Sequence, residues 1–299
     1  MDARLNAIQA KLLAQVKLDA PPVEALVKAQ IQAGGKMLRA QLLLDFADFG
    51  ESDQTQVITA AAAIEALHLA TLLHDDVLDD ADLRRGVPTV GIKAGNRAAI
   101  YAGDFMFAVY FNLLAESDLL FARHAQVMKA IFMGELAQNF APKATDVEAY
   151  LTEIQGKSAA LFGLAAEVGA TLGGVDAHLA NVFGRSLGMS FQIIDDVLDF
   201  TSTDDQLQKP IDQDLKNGVY SLPIIYALTT AGDELTRLMQ SATTRGQAMA
   251  EIKRLGVPPA QQVALAYQQQ ALHALEQFPD GVNKNRLTAI AELVLSRKV

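Results

Sequence analysis

Apolar residues recur at three- and four-residue spacing along almost the whole chain, and sustained two-residue alternation is missing. That period returns apolar side chains to one helix face turn after turn, so the chain reads as helical throughout. Helices are expected over 3–17, 22–33, 36–48, 54–80, 95–115, 119–140, 146–172, 176–203, 218–230, 233–239, 245–254, 259–276 and 283–297. The prolines fall mainly between these segments, as at Pro21-Pro22, Pro88, Pro142, Pro210, Pro258 and Pro279; a missing N–H and a fixed φ make such positions helix breaks. Asp53, Asp146 and Asp176 stand where N-caps are expected. No Gly/Ser-rich linker or low-complexity block interrupts the 299 residues, and 51% of them are hydrophobic. Residues 1–299 are therefore expected to form one large all-α domain.

Two of these helices end in the same pentapeptide. Asp75-Asp76-Val77-Leu78-Asp79 closes the apolar stretch from Ala60 to Leu73, and Asp195-Asp196-Val197-Leu198-Asp199 closes the one from Gly188 to Ile194. The first and fifth residues of each lie one turn apart, so their carboxylates share a face. Crowded carboxylates raise one another's pKa unless cations sit among them. Mg²⁺ suits such a site, because it binds through a few carboxylates and completes its shell with water and phosphate oxygens. A single aspartate run reads as a solvated helix face; an identical second copy after an equally apolar approach argues for a site. The residues after the two copies differ completely, so there is no internal repeat.

Composition removes several classes of function. A net charge of −10 lacks the basic footprint that nucleic-acid binding requires. The absence of cysteine rules out disulfides, thiolate zinc sites and a cysteine nucleophile, which is compatible with the cytoplasm. Met1 to Lys17 is charged throughout and is not a signal peptide. Val57 to Leu73 approaches the length of a short membrane span but carries Glu65 and His68, so it reads as a buried helix.

Cations accompany both clusters. Arg84-Arg85-Gly86 follows the first, and arginine forks onto phosphate oxygens as readily as it pairs with Asp79, Asp80 or Asp82. His68 lies seven residues before Asp75 on nearly the same face. Upstream, Gly34-Gly35-Lys36-Met37-Leu38-Arg39 places glycines ahead of a helix expected to begin with Lys36 and Arg39 on one face. Cations there oppose the helix dipole, and a bound anion would account for them. Gln192, Asp195 and Asp199 share a face of the second cluster's helix, with Lys209 downstream. Between the clusters, Gly156-Lys157-Ser158 sits in an otherwise apolar helix; the lysine either reaches a phosphate or snorkels.

In this order and spacing the motifs resemble those of the trans-type (all-E) isoprenyl diphosphate synthases across essentially the whole length. The set comprises Gly-Gly-Lys-x-x-Arg, the early His68, Asp-Asp-x-x-Asp with Arg-Arg-Gly, Gly-Lys-Ser, and Phe-Gln-x-x-Asp-Asp-x-x-Asp followed by a lysine. The resemblance implies an all-α fold whose helices surround a deep central cavity, usually in a homodimer. It implies condensation of isopentenyl diphosphate with an allylic diphosphate at a site holding Mg²⁺, three ions in all. Asp75 and Asp79 would bind Mg²⁺ with Asp76 supporting, and Asp195 would bind the remainder with Asp196 or Asp199. Arg84, Lys157 and Lys209 would hold the allylic diphosphate, with Ser158 beside Lys157 and Gln192 at the reaction centre. Gly35, Lys36, Arg39, His68 and Arg85 would hold isopentenyl diphosphate. The chain departs from the pattern at Ser158 for threonine, Ala40 for proline, Gln208 for glycine and Val219 for the lysine of some short-chain members. None of these removes a metal ligand or a principal phosphate cation.

In this family, bulky residues four or five positions before the first cluster close the cavity and shorten the product. Here those positions are Thr71 and Ala70, both small. On an ideal helix Thr71 shares the Asp75 face and Ala70 does not, so only the family pattern singles out Ala70. Val57 or Ile58 lies roughly 25 Å from the cluster at helical rise, and Phe132 on another helix is a candidate floor. The expectation is a medium- or long-chain product, hexaprenyl to decaprenyl. Alternatives are a farnesyl or geranylgeranyl diphosphate synthase, the catalytic subunit of a heteromeric synthase, or a non-catalytic binding or regulatory subunit. A class I terpene cyclase is disfavoured by the second Asp motif and the isopentenyl cations. A di-iron protein would need a second Glu-x-x-His beside that of Glu65 and His68.

Overall fold

The computed structural model describes residues 3–117, 120–140, 146–201, 220–241 and 243–296. Apart from two strands of two residues each, the regular structure among them is helical. The chain divides into two compact units, one within residues 1–123 and 165–177, the other within residues 124–164 and 178–299.

The first unit is built on α4 (Gln54–Leu78). Its N-cap Asp53 accepts from Thr55 N at 2.7 Å, as the position before an apolar run predicts. Every residue from Thr59 to Leu67 is buried, so the helix is enclosed on all sides and carries no polar stripe. The alanines Ala60 to Ala63 keep its girth small where neighbours close in. Around it lie α1 (Ala3–Gln15), α2 (Pro21–Ala33), α3 (Leu38–Ala47), α5 (Val90–Ala94) and α6 (Asn96–Ser117), with α6 packed along it most extensively. Between α4 and α5 the chain forms a hairpin of β1 (Leu83–Arg84) and β2 (Val87–Pro88), paired antiparallel. Arg85 and Gly86 link the strands with φ of 55° and 78°, the left-handed pair that a two-residue primed turn requires. Strands this short leave no alternation to read, so the periodicity gave no sign of the hairpin, nor of five-residue α5.

The second unit holds most of α7 (Phe121–Phe140), then α8 (Val147–Ile154), α10 (Ala177–Thr201), α11 (Leu222–Gln240), α12 (Arg245–Leu255), α13 (Val257–Glu276) and α14 (Val282–Leu295). α9 (Ala160–Leu172) runs from this unit into the first, so that boundary falls inside a helix and needs no linker. The core joins Ile154, Ile193, Val197, Ile225, Leu235 and Ile252. Three boundaries differ from the periodicity. The helix expected over 146–172 is interrupted by a π-helical turn, Gln155–Ala159. The segments at 218–230 and 233–239 are joined in α11, kinked at Gly232 with φ 53°. α13 starts at Val257 because Pro258 and Pro259 occupy its first turn, where an N–H has no intrahelical partner.

α4 and α6 are both long and apolar enough to cross a membrane by length and composition. The buried-helix reading of α4 accords with its position: Val57, Ile64, Leu67 and Leu73 are at most 1% exposed within the unit.

Candidate active site

The first unit carries the first aspartate motif and the upstream cations. Asp75 and Asp76 lie in the last turn of α4, and Asp79 is its C-cap, with its N–H on Asp75 O at 2.8 Å. Asp79 is exposed and Asp75 half-buried, one turn apart as the spacing predicts. Asp76 is buried and accepts from Arg84 Nε at 2.8 Å and from Arg84 Nη2. The hairpin folds Arg84 back onto α4, so its carboxylate partner is Asp76 rather than Asp79, Asp80 or Asp82. Asp76 thereby anchors the arginine next in line to the proposed metal ligands.

The Gly-Gly-Lys-x-x-Arg segment departs from expectation in one respect. α3 begins at Leu38, after Met37 with φ 44°, so Lys36 precedes the helix and does not share a helical face with Arg39. Lys36 is exposed, and its carbonyl accepts from Gln41 Nε2. Arg39 Nη1 lies 3.2 Å from His68 Nε2. An arginine only donates, so His68 Nε2 accepts and the ring proton sits on Nδ1. Burial, then the charges of Arg39, Arg85 and Arg84, hold His68 well below the ordinary histidine value, which keeps the imidazole neutral at pH 7. Gly35 has a steric role: a Cβ there would lie 2.9 Å from Arg85 Cζ. A side chain there would displace that guanidinium from its present position.

The sequence reading did not assign Glu65 to this cluster. Its Oε1 accepts from Ala40 N at 3.1 Å in the first turn of α3, whose N-cap Met37 makes no side-chain bond. Burial raises its pKa, opposed by Arg39, the Ala40 bond and Arg85. Two of the proposed isopentenyl-binding cations, Arg39 and Arg85, thus act on a buried carboxyl that α4 holds against the start of α3. The pairing of Glu65 with His68 as Glu-x-x-His belongs to this cation network. Gly34, Met37, Glu65, His68 and Arg85 help line a recess of ≈ 30 Å³, space on the scale of one or two waters. Met37, Asp80 and Arg85 are three of the four described non-glycine residues with positive φ, and such strain clusters where neighbouring structure fixes a functional geometry.

Further along α4, Ala70 is fully buried, while half-buried Thr71 donates from Oγ1 to His68 O at 2.9 Å. Phe132, the candidate floor, is 39% exposed on α7 and so is not a core side chain.

The second unit carries the second motif at the end of α10, where Asp195, Asp196 and Asp199 are half-buried. Gly156-Lys157-Ser158 falls inside the π turn Gln155–Ala159. A π turn takes in one extra residue and is often found at functional sites. Here its two polar side chains bond to different helices. Lys157 Nζ donates to Glu135 Oε2 at 3.0 Å and to Gln138 Oε1 on α7. Ser158 Oγ donates to Gln192 Oε1 on α10 at 2.6 Å. α7 and the π turn touch backbone to backbone, since a Cβ on Gly156 would lie 2.7 Å from Ala130 O.

Gln192 passes the Ser158 contact on to the aspartates, its Nε2 donating to Asp196 Oδ1 at 3.0 Å. Tyr150 Oη donates to Asp196 Oδ2 at 2.6 Å. Glu153, one turn beyond Tyr150, is pushed up to about 7, first by burial and then by Asp196 and Glu135, against the pull of Lys157. Neither Tyr150 nor Glu153 was singled out from the sequence. An aromatic and an acidic residue on a short helix look like packing and solvation until α8 is set beside α10. Lys209 lies outside the described residues.

The donor chemistry fits Mg²⁺. Among the described residues no three acidic or histidine side chains form a ready metal cage. Each motif offers a small set of carboxylate oxygens, and Mg²⁺ is the cation that completes such a set with water and phosphate.

Comparison with known proteins follows the same motifs. Residues 20–256 match the family model for polyprenyl synthetase. The chain is 35% identical over 306 aligned positions to heptaprenyl diphosphate synthase component 2 of Bacillus subtilis, covering 98% of this chain and 88% of the relative. Its structure matches geranylgeranyl pyrophosphate synthase of Lactobacillus brevis with a TM-score of 0.92 at 37% identity, covering 98% of this chain and 96% of that one. It matches a polyprenyl synthase of Caulobacter crescentus, complexed with calcium and isoprenyl diphosphate, with a TM-score of 0.92 at 29% identity, covering 100% and 96%. On family model, sequence and fold together, the chain belongs to the polyprenyl synthetase family, the trans-type isoprenyl diphosphate synthases.

Proposed function

We propose that this family member is a Mg²⁺-dependent prenyltransferase that condenses isopentenyl diphosphate head-to-tail with an allylic diphosphate, giving a medium- or long-chain all-trans product, hexaprenyl to decaprenyl. The observation that carries the chain-length reading is the pair of small side chains, Ala70 and Thr71, before Asp75. The carbonyl bond of Thr71 also turns its hydroxyl back onto its own helix, leaving a slim, apolar flank.

Asp75 and Asp79 from one motif, and Asp195 and Asp199 from the other, are the proposed metal ligands, with Asp76 and Asp196 as anchored supports. Mg²⁺ bound there would neutralise the diphosphate as it departs. Arg84, Lys157 and Lys209 are the cations proposed to bind that diphosphate, and positive charges at a departing diphosphate favour the separated charges of the transition state over the intact substrate. Lys157 exchanges Glu135 and Gln138 for phosphate oxygens in doing so. Lys36, Arg39 and Arg85 bind the isopentenyl diphosphate, and neutral His68 adds directional hydrogen bonding without another positive charge. Gln192, fixed by Ser158 and Asp196, is the residue proposed to line the reaction centre, where positive charge develops on the allylic carbon. Apolar helix surface around both motifs excludes water from the allylic cation.

Homodimerisation is part of the reading, supported by large apolar side chains left exposed on α6 (Tyr101, Phe111) and α7 (Phe121, Met133). The cytoplasm is the proposed location. A second reading, the catalytic subunit of a heteromeric synthase, is favoured by the Bacillus relative, whose name makes it component 2. A short-chain product is the third, favoured by the Lactobacillus enzyme.

Incubation of the purified protein with labelled isopentenyl diphosphate, an allylic primer and Mg²⁺, followed by product sizing, tests all three. Products beyond C25 support the main reading. Products ending at C15 or C20 under excess isopentenyl diphosphate overturn it, and inactivity of the isolated chain with folded protein favours the heteromer.

A further inference from the structure

We propose that Tyr150 is a positioning residue for the second aspartate motif, fixing the Asp196 carboxylate so that Gln192 and the neighbouring metal-binding aspartates are held in one geometry. The inference rests on the proposed prenyl-transfer reading and adds a residue that no motif contains.

Three contacts carry it. Tyr150 Oη donates to Asp196 Oδ2 at 2.6 Å, Gln192 Nε2 donates to Asp196 Oδ1 at 3.0 Å, and Ser158 Oγ donates to Gln192 Oε1 at 2.6 Å. Each oxygen of Asp196 therefore has its own donor, and the two donors come from different helices, α8 and α10 itself. A carboxylate turns about χ2 through a broad, soft well, so a single donor leaves it free to rotate. Two donors on opposite oxygens fix its plane. The amide of Gln192 is fixed in turn, because its oxygen takes the Ser158 proton and its nitrogen faces Asp196, which leaves only one flip state satisfied.

Tyr150 is suited to this role by its surroundings. It is 4% exposed and its ring belongs to the core cluster with Ile154, Ile193 and Val197. A hydroxyl on a rigid, packed ring costs little further entropy when it makes its bond. The nearby charges are Glu153 on the same helix, Asp195 beside Asp196, and Lys157 and Glu135 around Glu153. Tyr150 makes no claim on substrate; it acts through Asp196.

The test is Tyr150→Phe, which removes one oxygen and keeps the ring. The expected result is a kcat lowered about tenfold, a KM for isopentenyl diphosphate within twofold of wild type, and a half-saturating Mg²⁺ concentration raised at least threefold. Mn²⁺ titration by electron paramagnetic resonance, with inorganic diphosphate present, should show the same weakening without turnover. This second readout decides the role of Tyr150 even if the isolated wild-type chain forms no prenyl product, the outcome that favours the heteromeric reading over the homomeric one. In an Asp196→Asn background, Tyr150→Phe should add less than a twofold further change. Full additivity, or unchanged Mg²⁺ and Mn²⁺ dependence in the single variant, overturns the proposal. If Tyr150→Phe fails to fold, 3-fluorotyrosine at position 150 preserves the shape. Its ¹⁹F resonance should shift when Mg²⁺ and diphosphate bind; a fixed resonance under saturating ligand also overturns it.

Discussion

Replacing Asp76 by asparagine separates its two possible roles, metal ligand and anchor for Arg84. The side chain of Asp76 is 3% exposed and that of Arg84 25% exposed, with contacts from both Nε and Nη2 to one carboxylate oxygen. At a charge separation near 4 Å and an effective dielectric of about 20, the attraction is on the order of 4 kcal/mol. Desolvation of the pair offsets part of this, and Arg84 retains some water, which leaves a coupling of about 2–3 kcal/mol. Asp76→Asn keeps shape and an acceptor but removes the charge, and at this chain length should lower the Tm by roughly 4–8 °C. Thermal and urea unfolding of Asp76→Asn, Arg84→Gln and the double variant, all without Mg²⁺ or diphosphate, measure the coupling directly. The double variant should be little worse than either single one. If the two single effects add, with a coupling below about 0.5 kcal/mol, the anchoring argument for Asp76 fails.

Other perturbations probe neighbouring parts of the site. Gly156→Ala brings a Cβ to 2.7 Å from Ala130 O; forcing α7 away from the π turn should cost about 1–3 kcal/mol by urea unfolding and weaken the allylic substrate more than isopentenyl diphosphate. Ala70→Phe places a large ring at a fully buried position, so product sizing should show a shorter chain, and an unchanged distribution would remove Ala70 from the product-length wall. Glu153 has a folded pKa of about 7 against 4.5 in a free chain, so the unfolded state releases its proton first and stability falls as pH rises through that window. Glu153→Gln should therefore stabilise the metal-free protein above pH 7, by about 1–2 kcal/mol after allowance for its partial exposure, with the gain disappearing toward pH 4.5 in urea unfolding.

Much of this molecule was legible because the helical period is a local property. α4 and α10 were readable from their apolar spacing, and Asp53 and Asp146 act as caps where a short acceptor precedes a helix. The Asp75–Asp79 and Asp195–Asp199 pairs follow from rise and turn alone. Where prediction failed locally, the cause was a conformation that side-chain periodicity does not encode. A π turn of five residues keeps an apolar flank on both sides, and prolines in a first turn look like breaks. Lys36 was placed on α3 because cations three apart fit a helix, yet Met37 in a left-handed conformation starts that helix two residues later.

The sequence by itself determined the chemistry on offer: two oxygen-rich motifs, the cations around them, the all-α class and the family. Tertiary structure decided which groups are paired, because those contacts join residues distant along the chain and depend on burial. Glu65 meets Ala40 across 25 positions, and Tyr150 meets Asp196 across 46. The motifs name the groups that could meet diphosphate and Mg²⁺, and only the packing of α8, the π turn and the hairpin shows what holds Arg84, Gln192 and Asp196 in place.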